Sequence, residues 1–329
     1  MKTELLAFTE QGFSLAQRLA QALDGRAQRC TPPLTLAAWT AQAFSAADAL
    51  VFVGAVGIAV RAIAPYVRSK AQDPAVVVVD ECARFAVPVL SGHLGGANDL
   101  ARRITQICGA VPVITTATDL HRVFAVDEWA KRQGCTVADP GRIKLVSAKI
   151  LRGETVLFRS PWPVSGEVPG GVQEGAPCDF ELTVCAKDSG ALRIVPHIAV
   201  LGFGCRRGVS VQVIENVFSS FLRESSLSEE AFVKVCSIDL KADEPGLCEF
   251  CRAHGLALET FSAEELRQAE GEFSPSAFVK SVTGVDNVCE RSAVLGSKGA
   301  LFQRKYVKNG VTMAAALAPF TPDWRWYDE

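Results

Sequence analysis

The chain has no basic surplus. It sets 34 lysines and arginines against 36 acidic residues, a formal net charge of -2. That excludes the cationic footprint on which most nucleic-acid binders depend. It also lacks an apolar run long enough for a bilayer: residues 50–60 are apolar, but a spanning helix needs about 20 such residues. No signal-like segment precedes Lys2-Thr3-Glu4, and the 11 cysteines form no compact framework. A reducing cytoplasm is therefore expected, with most thiols acting as small buried hydrophobes. Cys248 and Cys251 have no second pair to complete a structural zinc site, and they fall inside a predicted helix over residues 245–253. Neither a Walker-type lysine motif nor a Gly-x-Ser-x-Gly elbow occurs. Histidine is scarce, with four in all, so the setting of each one is informative.

A chain of 329 residues with 49% hydrophobic content has room for two or three domains with buried cores. Residues 4–8, 50–53, 75–79, 85–90 and 111–115 read as strands, interleaved with helical patterns that run to residue 23 and over 58–64 and 99–108. The valine-rich run 75–79 is the pattern of a strand covered on both faces. The alternation predicts an open α/β sandwich with a mostly parallel sheet. Turns after Val53, Leu90 and Thr115 are expected to share one sheet edge, gathering Gly54, Gly57, His93, Thr116 and Asp119.

Residues 122–195 differ in character. Pro161, Pro163, Pro169 and Pro177 interrupt any long helix, so a small loop-rich middle domain is predicted, with a helix over 144–151 and short strands over 155–158 and 181–184. From His197 the alternation restarts in a second α/β domain. Strands are predicted over 197–201, 233–238 and 256–260, with a helix over 209–223. Ser262 and Glu265 have the spacing of a capping box, and Asn309-Gly310 is a strong hairpin signal. Residues 323–329 are expected to pack onto the body. The predicted domains are thus 1–121, 122–195 and 196–329.

Chemistry concentrates at the strand-to-helix turns. Leu90-Ser91-Gly92-His93-Leu94-Gly95-Gly96-Ala97-Asn98-Asp99 places backbone N–H groups and a titratable imidazole at a helix start. His93 is the candidate for acid–base work; a loop-ordering or capping role is the bland alternative. Asp80, Glu81 and Asp119 end or follow strands near the presumed active edge; Asp239, Glu244 and Glu290 are further acidic candidates. The second turn, Gly202-Phe203-Gly204-Cys205-Arg206-Arg207-Gly208, begins like a dinucleotide fingerprint, but Arg207 stands where the third glycine is needed. Paired arginines suit carboxylates instead, and they are expected to lower the pKa of Cys205. His121, His197 and His254 have weaker contexts.

These segments resemble a known family. VFVGAVGIAVRAIAPYVRSK from residue 51, LSGHLGGAND from residue 90, GFGCRRGVS at 202–210, SIDLKADEPGL at 237–247, VTGVDNVCERSA at 282–293 and GVTMA at 310–314 are similar, in order, to the cobalt-precorrin-5A hydrolase (CbiG) family of cobalamin biosynthesis. The resemblance implies opening of a δ-lactone in cobalt-precorrin-5A and release of the C20 unit as acetaldehyde, giving cobalt-precorrin-5B. Cobalt arrives inside the substrate, so no separate metal or cofactor is expected; water is the co-substrate, and transient contacts with neighbouring pathway enzymes are expected. In this scheme His93, or a nearby carboxylate such as Asp119 or Glu81, acts as general base, and the N–H groups of Gly95 and Gly96 hold the oxyanion. The macrocycle's carboxylates and apolar ring would be held by Gly54, Gly57, Arg61, Ser91, Gly92, Gly95, Gly96, Asn98, Gly204, Cys205, Arg206, Arg207, Lys241 and Glu290. A non-catalytic corrinoid carrier is the alternative; a nucleotide-dependent enzyme is disfavoured by the missing fingerprints.

Overall fold

The structure is a computed structural model and describes residues 1–69 and 72–326. It is mixed α/β with three largely parallel sheets, and the chain divides into two compact units: residues 1–128 with 150–152, and residues 129–149 with 153–329.

The first unit holds a six-stranded sheet. Its strands are β1 (Thr3–Ala7), β2 (Arg26–Arg29), β3 (Ala49–Val53), β4 (Ala75–Val79), β5 (Phe85–Leu90) and β6 (Val111–Pro112), in the order β2-β1-β3-β4-β5-β6. The helices are α1 (Glu10–Leu23), α2 (Leu36–Ala46), α3 (Val56–Ile63), α4 (Ala97–Cys108) and the short α5 (Ala117–His121); α6 (Val126–Arg132) begins at the end of this unit. Side chains alternate across the central strands. Leu5, Val51, Val53, Val77 and Val79 pack with Leu15 and Leu19 of α1 and Leu100 and Ile104 of α4. Leu6, Leu50, Phe52, Val76 and Val78 pack on the other face with Trp39 of α2 and Ala59 and Ile63 of α3. This is the two-sided burial that the valine run predicts. β2 and α2 carry no clear apolar period in the sequence, their segments being polar and alanine-rich.

One topological detail decides where the site lies. β5 runs antiparallel to β4, with Val79 opposite Ala86 and Val76 opposite Leu90, and β6 runs parallel to β5. The Asp80 carboxylate accepts the N–H groups of Cys82, Arg84 and Phe85, and Ala83 takes a left-handed φ of 54°, which closes a tight reversal. The turns after Leu90 and Thr115 therefore share one edge, while the turn after Val53 opens at the opposite edge. The expected single gathering of turns is corrected accordingly.

The second unit holds two sheets. In the first, β7 (Cys135–Val137), β8 (Val156–Arg159), β9 (Val172–Glu174), β10 (Phe180–Leu182) and β11 (Leu192–Pro196) are ordered β7-β11-β10-β8-β9, with α7 (Ile143–Leu151) between β7 and β8. So the middle segment is a sheet of short strands linked by its proline-rich loops. Trp324 stacks on Trp129 with ring centroids 5.1 Å apart and meets Phe158 edge-on at 4.7 Å, so the chain's end returns to this sheet; residues 327–329 lie outside the described residues.

In the second sheet, β12 (Ala199–Cys205), β13 (Phe232–Ile238) and β14 (Ala257–Phe261) are parallel and joined by α8 (Val211–Ser225) and α9 (Pro245–Ala253). After α10 (Ala263–Gln268), α11 (Ala277–Thr283) and α12 (Cys289–Ser297), the hairpin β15 (Ala300–Lys308) and β16 (Val311–Leu317) adds to the sheet through an antiparallel β12–β16 pairing. Asn309 and Gly310 both take positive φ at the hairpin turn, and the Ser262–Glu265 capping box forms. No helix among the described residues is long and apolar enough to cross a membrane.

Candidate functional site

The glycine-rich turn after β5 is folded back on itself. Gly96 N–H donates to the His93 carbonyl at 2.9 Å, Ala97 N–H to Ser91 at 3.1 Å and Asn98 N–H to Gly92 at 3.0 Å. Ser91 and Gly96 take left-handed φ of 57° and 85°, and a Cβ on Gly95 would lie 2.3 Å from that of Ser91, so the close approach requires glycine there. The helix-start donors meant for an anion are thus spent on the loop's own carbonyls. Gly96 is removed as an oxyanion donor; among the described residues, the N–H groups of His93, Leu94 and Gly95 donate to nothing.

What the turn does present is His93, enclosed by acids. Asp119 Oδ2 lies 2.9 Å from Nε2, Asp127 Oδ2 3.3 Å from Nδ1, and Glu128 Oε1 3.7 Å from Nε2. Asp119 comes from the first turn of α5, Asp127 and Glu128 from the first turn of α6, where the helix dipole favours negative charge. The buried Asn98 side chain pins the cluster by donating to Thr116 Oγ1 at 2.9 Å and Asp119 Oδ2 at 3.1 Å. Thr116 Oγ1 donates to the same Asp119 oxygen at 2.7 Å, and Arg102 holds the other oxygen.

These neighbours set the protonation states. Burial works to lower the His93 pKa, but hydrogen bonds to Asp119 and Asp127, with the charges of Asp127 and Glu128, outweigh it and raise the value to about 10. Burial works to raise Asp119, yet its bonds from His93, Thr116 and Arg102 hold it well below the usual carboxylate range. Glu128 is raised to about 7, first by burial, with the His93 charge pulling it down and Asp119, Asp99 and Asp127 pushing it up. An imidazole that keeps its proton at neutral pH cannot serve as a base, so His93 is an acid and a positive charge, and the base falls to a carboxylate.

His93, Asp119 and Glu128 bring ligand atoms within 4.8 Å of one another.

Several expected partners lie elsewhere. Glu81 accepts from Thr9 Oγ1 at 2.6 Å, and Gly54 N–H donates to Val79 O at 2.8 Å; with Gly57 and Arg61 of α3, they belong to the β3–β4 end of the sheet, opposite the His93 edge. Glu81 therefore leaves the catalytic set, and Gly54, Gly57 and Arg61 leave the His93 site. Ser91, Gly92, Gly95, Gly96 and Asn98 shape and brace the turn.

In the second unit, Gly204 and Cys205 are part of β12, paired with Thr312 and Val311, rather than of a turn. Burial pushes the Cys205 thiol up, against a smaller lowering by Lys241, so the expected activation by arginine is not found. Arg206 and Arg207 are exposed beyond the strand, and neither makes an ion pair among the described residues. Lys241 pairs with Glu244 at 2.7 Å, and Glu244 also accepts Gly208 N–H at 2.6 Å. Glu290 is fully buried. Its oxygens accept Ser274 N and Oγ at 2.6 and 2.9 Å, Asn287 Nδ2 at 2.7 Å and Lys305 N at 2.7 Å; it ties loops together and leaves the binding set.

Parallel-strand ends carrying an acid–imidazolium cluster define an α/β enzyme suited to acid–base chemistry. The chain matches the family described as cobalamin synthesis G N-terminal over residues 38–119, its central region over 124–195 and its C-terminus over 199–316. A curated relative from Salmonella typhimurium, named cobalt-precorrin-5A hydrolase, is 33% identical over 298 residues, covering 84% of each chain. Another of that name from Priestia megaterium is 32% identical over 302 residues, covering 84% of this chain and 80% of its own. A crystal structure of a cobalamin biosynthesis protein G homolog from Sulfolobus solfataricus aligns over 97% of both chains with 21% identity and a TM-score of 0.42. The chain belongs to the CbiG family and is a hydrolase of cobalamin biosynthesis.

Proposed function

We propose that this hydrolase opens the δ-lactone of cobalt-precorrin-5A and yields cobalt-precorrin-5B, with the C20 unit leaving as acetaldehyde. The observation that carries the reading is His93 held as an imidazolium between Asp119 and Asp127. Ester hydrolysis needs a base to activate water, positive charge or N–H donors for the oxyanion, and an acid for the leaving alkoxide. Here a carboxylate of the cluster takes the proton from water. The imidazolium and the open N–H groups of the turn stabilise the tetrahedral oxyanion, and the imidazolium protonates the alkoxide as the ring C–O bond breaks. The hydroxyl so released sets up a retro-aldol-like cleavage that expels acetaldehyde.

Cobalt is carried in by the substrate, and the scheme calls for no cofactor. Water and the macrocycle are the partners, with brief contacts to neighbouring pathway enzymes, in the cytoplasm. A single-turnover incubation of purified protein with cobalt-precorrin-5A tests the reading. Stoichiometric acetaldehyde and a ring-opened product support it; binding without either product points to a carrier.

A further inference from the structure

We infer that Glu128 is the general base of this reaction, as the carboxylate beside His93 whose oxygens both lack a hydrogen bond among the described residues. The inference deepens the proposed function and rests on it. Three carboxylates surround the ring, and two of them are occupied. Asp119 Oδ2 accepts from Thr116, His93 and Asn98, and its Oδ1 is held by Arg102. Asp127 has a side chain only 5% exposed; one oxygen lies against Nδ1 of His93 and the other is buried without a partner. Glu128 is 12% exposed, and among the described residues its side chain makes one close polar approach, 3.7 Å from Oε1 to Nε2. That separation is an ion-pair distance but too long for a hydrogen bond, so its lone pairs remain available to a water molecule. The raised Glu128 value of about 7 fits this role, because a base is most useful when its pKa lies near the working pH.

The step balances without any further reactant. Glu128 takes a proton from water as the water oxygen bonds to the lactone carbonyl carbon, and the carbonyl π pair moves onto its oxygen. Collapse re-forms the carbonyl and breaks the ring C–O bond, and the departing alkoxide takes the proton of His93. The neutral imidazole then recovers a proton from the Glu128 carboxylic acid beside it. One water is consumed and both residues return to their starting states.

The test compares wild type, Glu128→Gln and Glu128→Asp in kcat and KM across the pH range, with unfolding midpoints as a folding control. Wild type is expected to lose activity as the pH falls through about 7. Glu128→Gln is expected to lose about 10²-fold or more in kcat, with KM little changed and the acidic limb gone; Glu128→Asp should recover part of the rate and keep the limb. A Gln variant with near-wild-type kcat, or one that keeps the same limb, overturns the assignment. If wild type does not consume cobalt-precorrin-5A, the substrate reading fails and the assignment fails with it; if wild type turns over and Glu128→Gln keeps the rate and the limb, the assignment alone fails.

Discussion

Nε2 of His93 lies 2.9 Å from Oδ2 of Asp119, bridging the turn after β5 to the first turn of α5. The contact exists because β5 and β6 run the same way and end at the same edge. Asn98 and Arg102, both on α4, then hold the acid from two sides.

The bridge makes stability depend on pH. The folded value of His93, about 10, lies above its unfolded value near 6.5. Its contribution is therefore fully present below about pH 6.5 and is lost as the pH rises through about 10. Asp119 is lowered, so its share is present above about 4 and disappears as acid protonates the folded carboxylate. His93→Gln should be less stable than wild type at pH 6, with the gap narrowing toward pH 10. Denaturant midpoints across that range check this; a gap independent of pH would contradict it.

Glu290 should behave as a structural residue. Glu290→Ala removes the acceptor of four donors in a site with no solvent access. Each buried donor left alone costs about 1–3 kcal/mol, so the loss of stability is expected to be on the order of 3 kcal/mol or more. Urea unfolding measures it. A normal midpoint with a raised KM would instead return Glu290 to the substrate-binding set.

Gly202 is the first glycine of what resembles a nucleotide fingerprint, but its role is packing. A Cβ there would lie 1.7 Å from the Cys289 carbonyl oxygen and 2.8 Å from the Ala293 Cβ. Gly202→Ala must push α12 off β12 and is expected to cost on the order of 3 kcal/mol. A fall in thermal midpoint with little soluble protein is the expected result, and an unchanged midpoint would contradict the packing account.

These cases show what was legible in the sequence. The run Ala75–Val79, the Asn309-Gly310 turn and the Ser262 capping box each carry their own local physics and folded as read. The antiparallel turn of β5 is legible too, since the five residues between Val79 and Phe85 are too few for a parallel crossover of a dozen or more, and that reversal is what separates Gly54, Gly57, Arg61 and Glu81 from the His93 edge. The acids Asp127 and Glu128 were missed for another reason. They open a helix just past the predicted boundary at residue 121, and only the tertiary fold brings them to His93. Burial and charge crowding, which set the protonation of His93 and Cys205, have no local sequence signal.

The most direct test of acyl hydrolysis at the His93 cluster is a single turnover in water enriched in ¹⁸O, read by mass spectrometry of the corrinoid product. Wild type should place one ¹⁸O in a carboxylate of the ring-opened product, and His93→Gln should slow that incorporation by about 10²-fold or more. A product formed without the label in a carboxylate, or labelled equally fast by His93→Gln, would contradict the account.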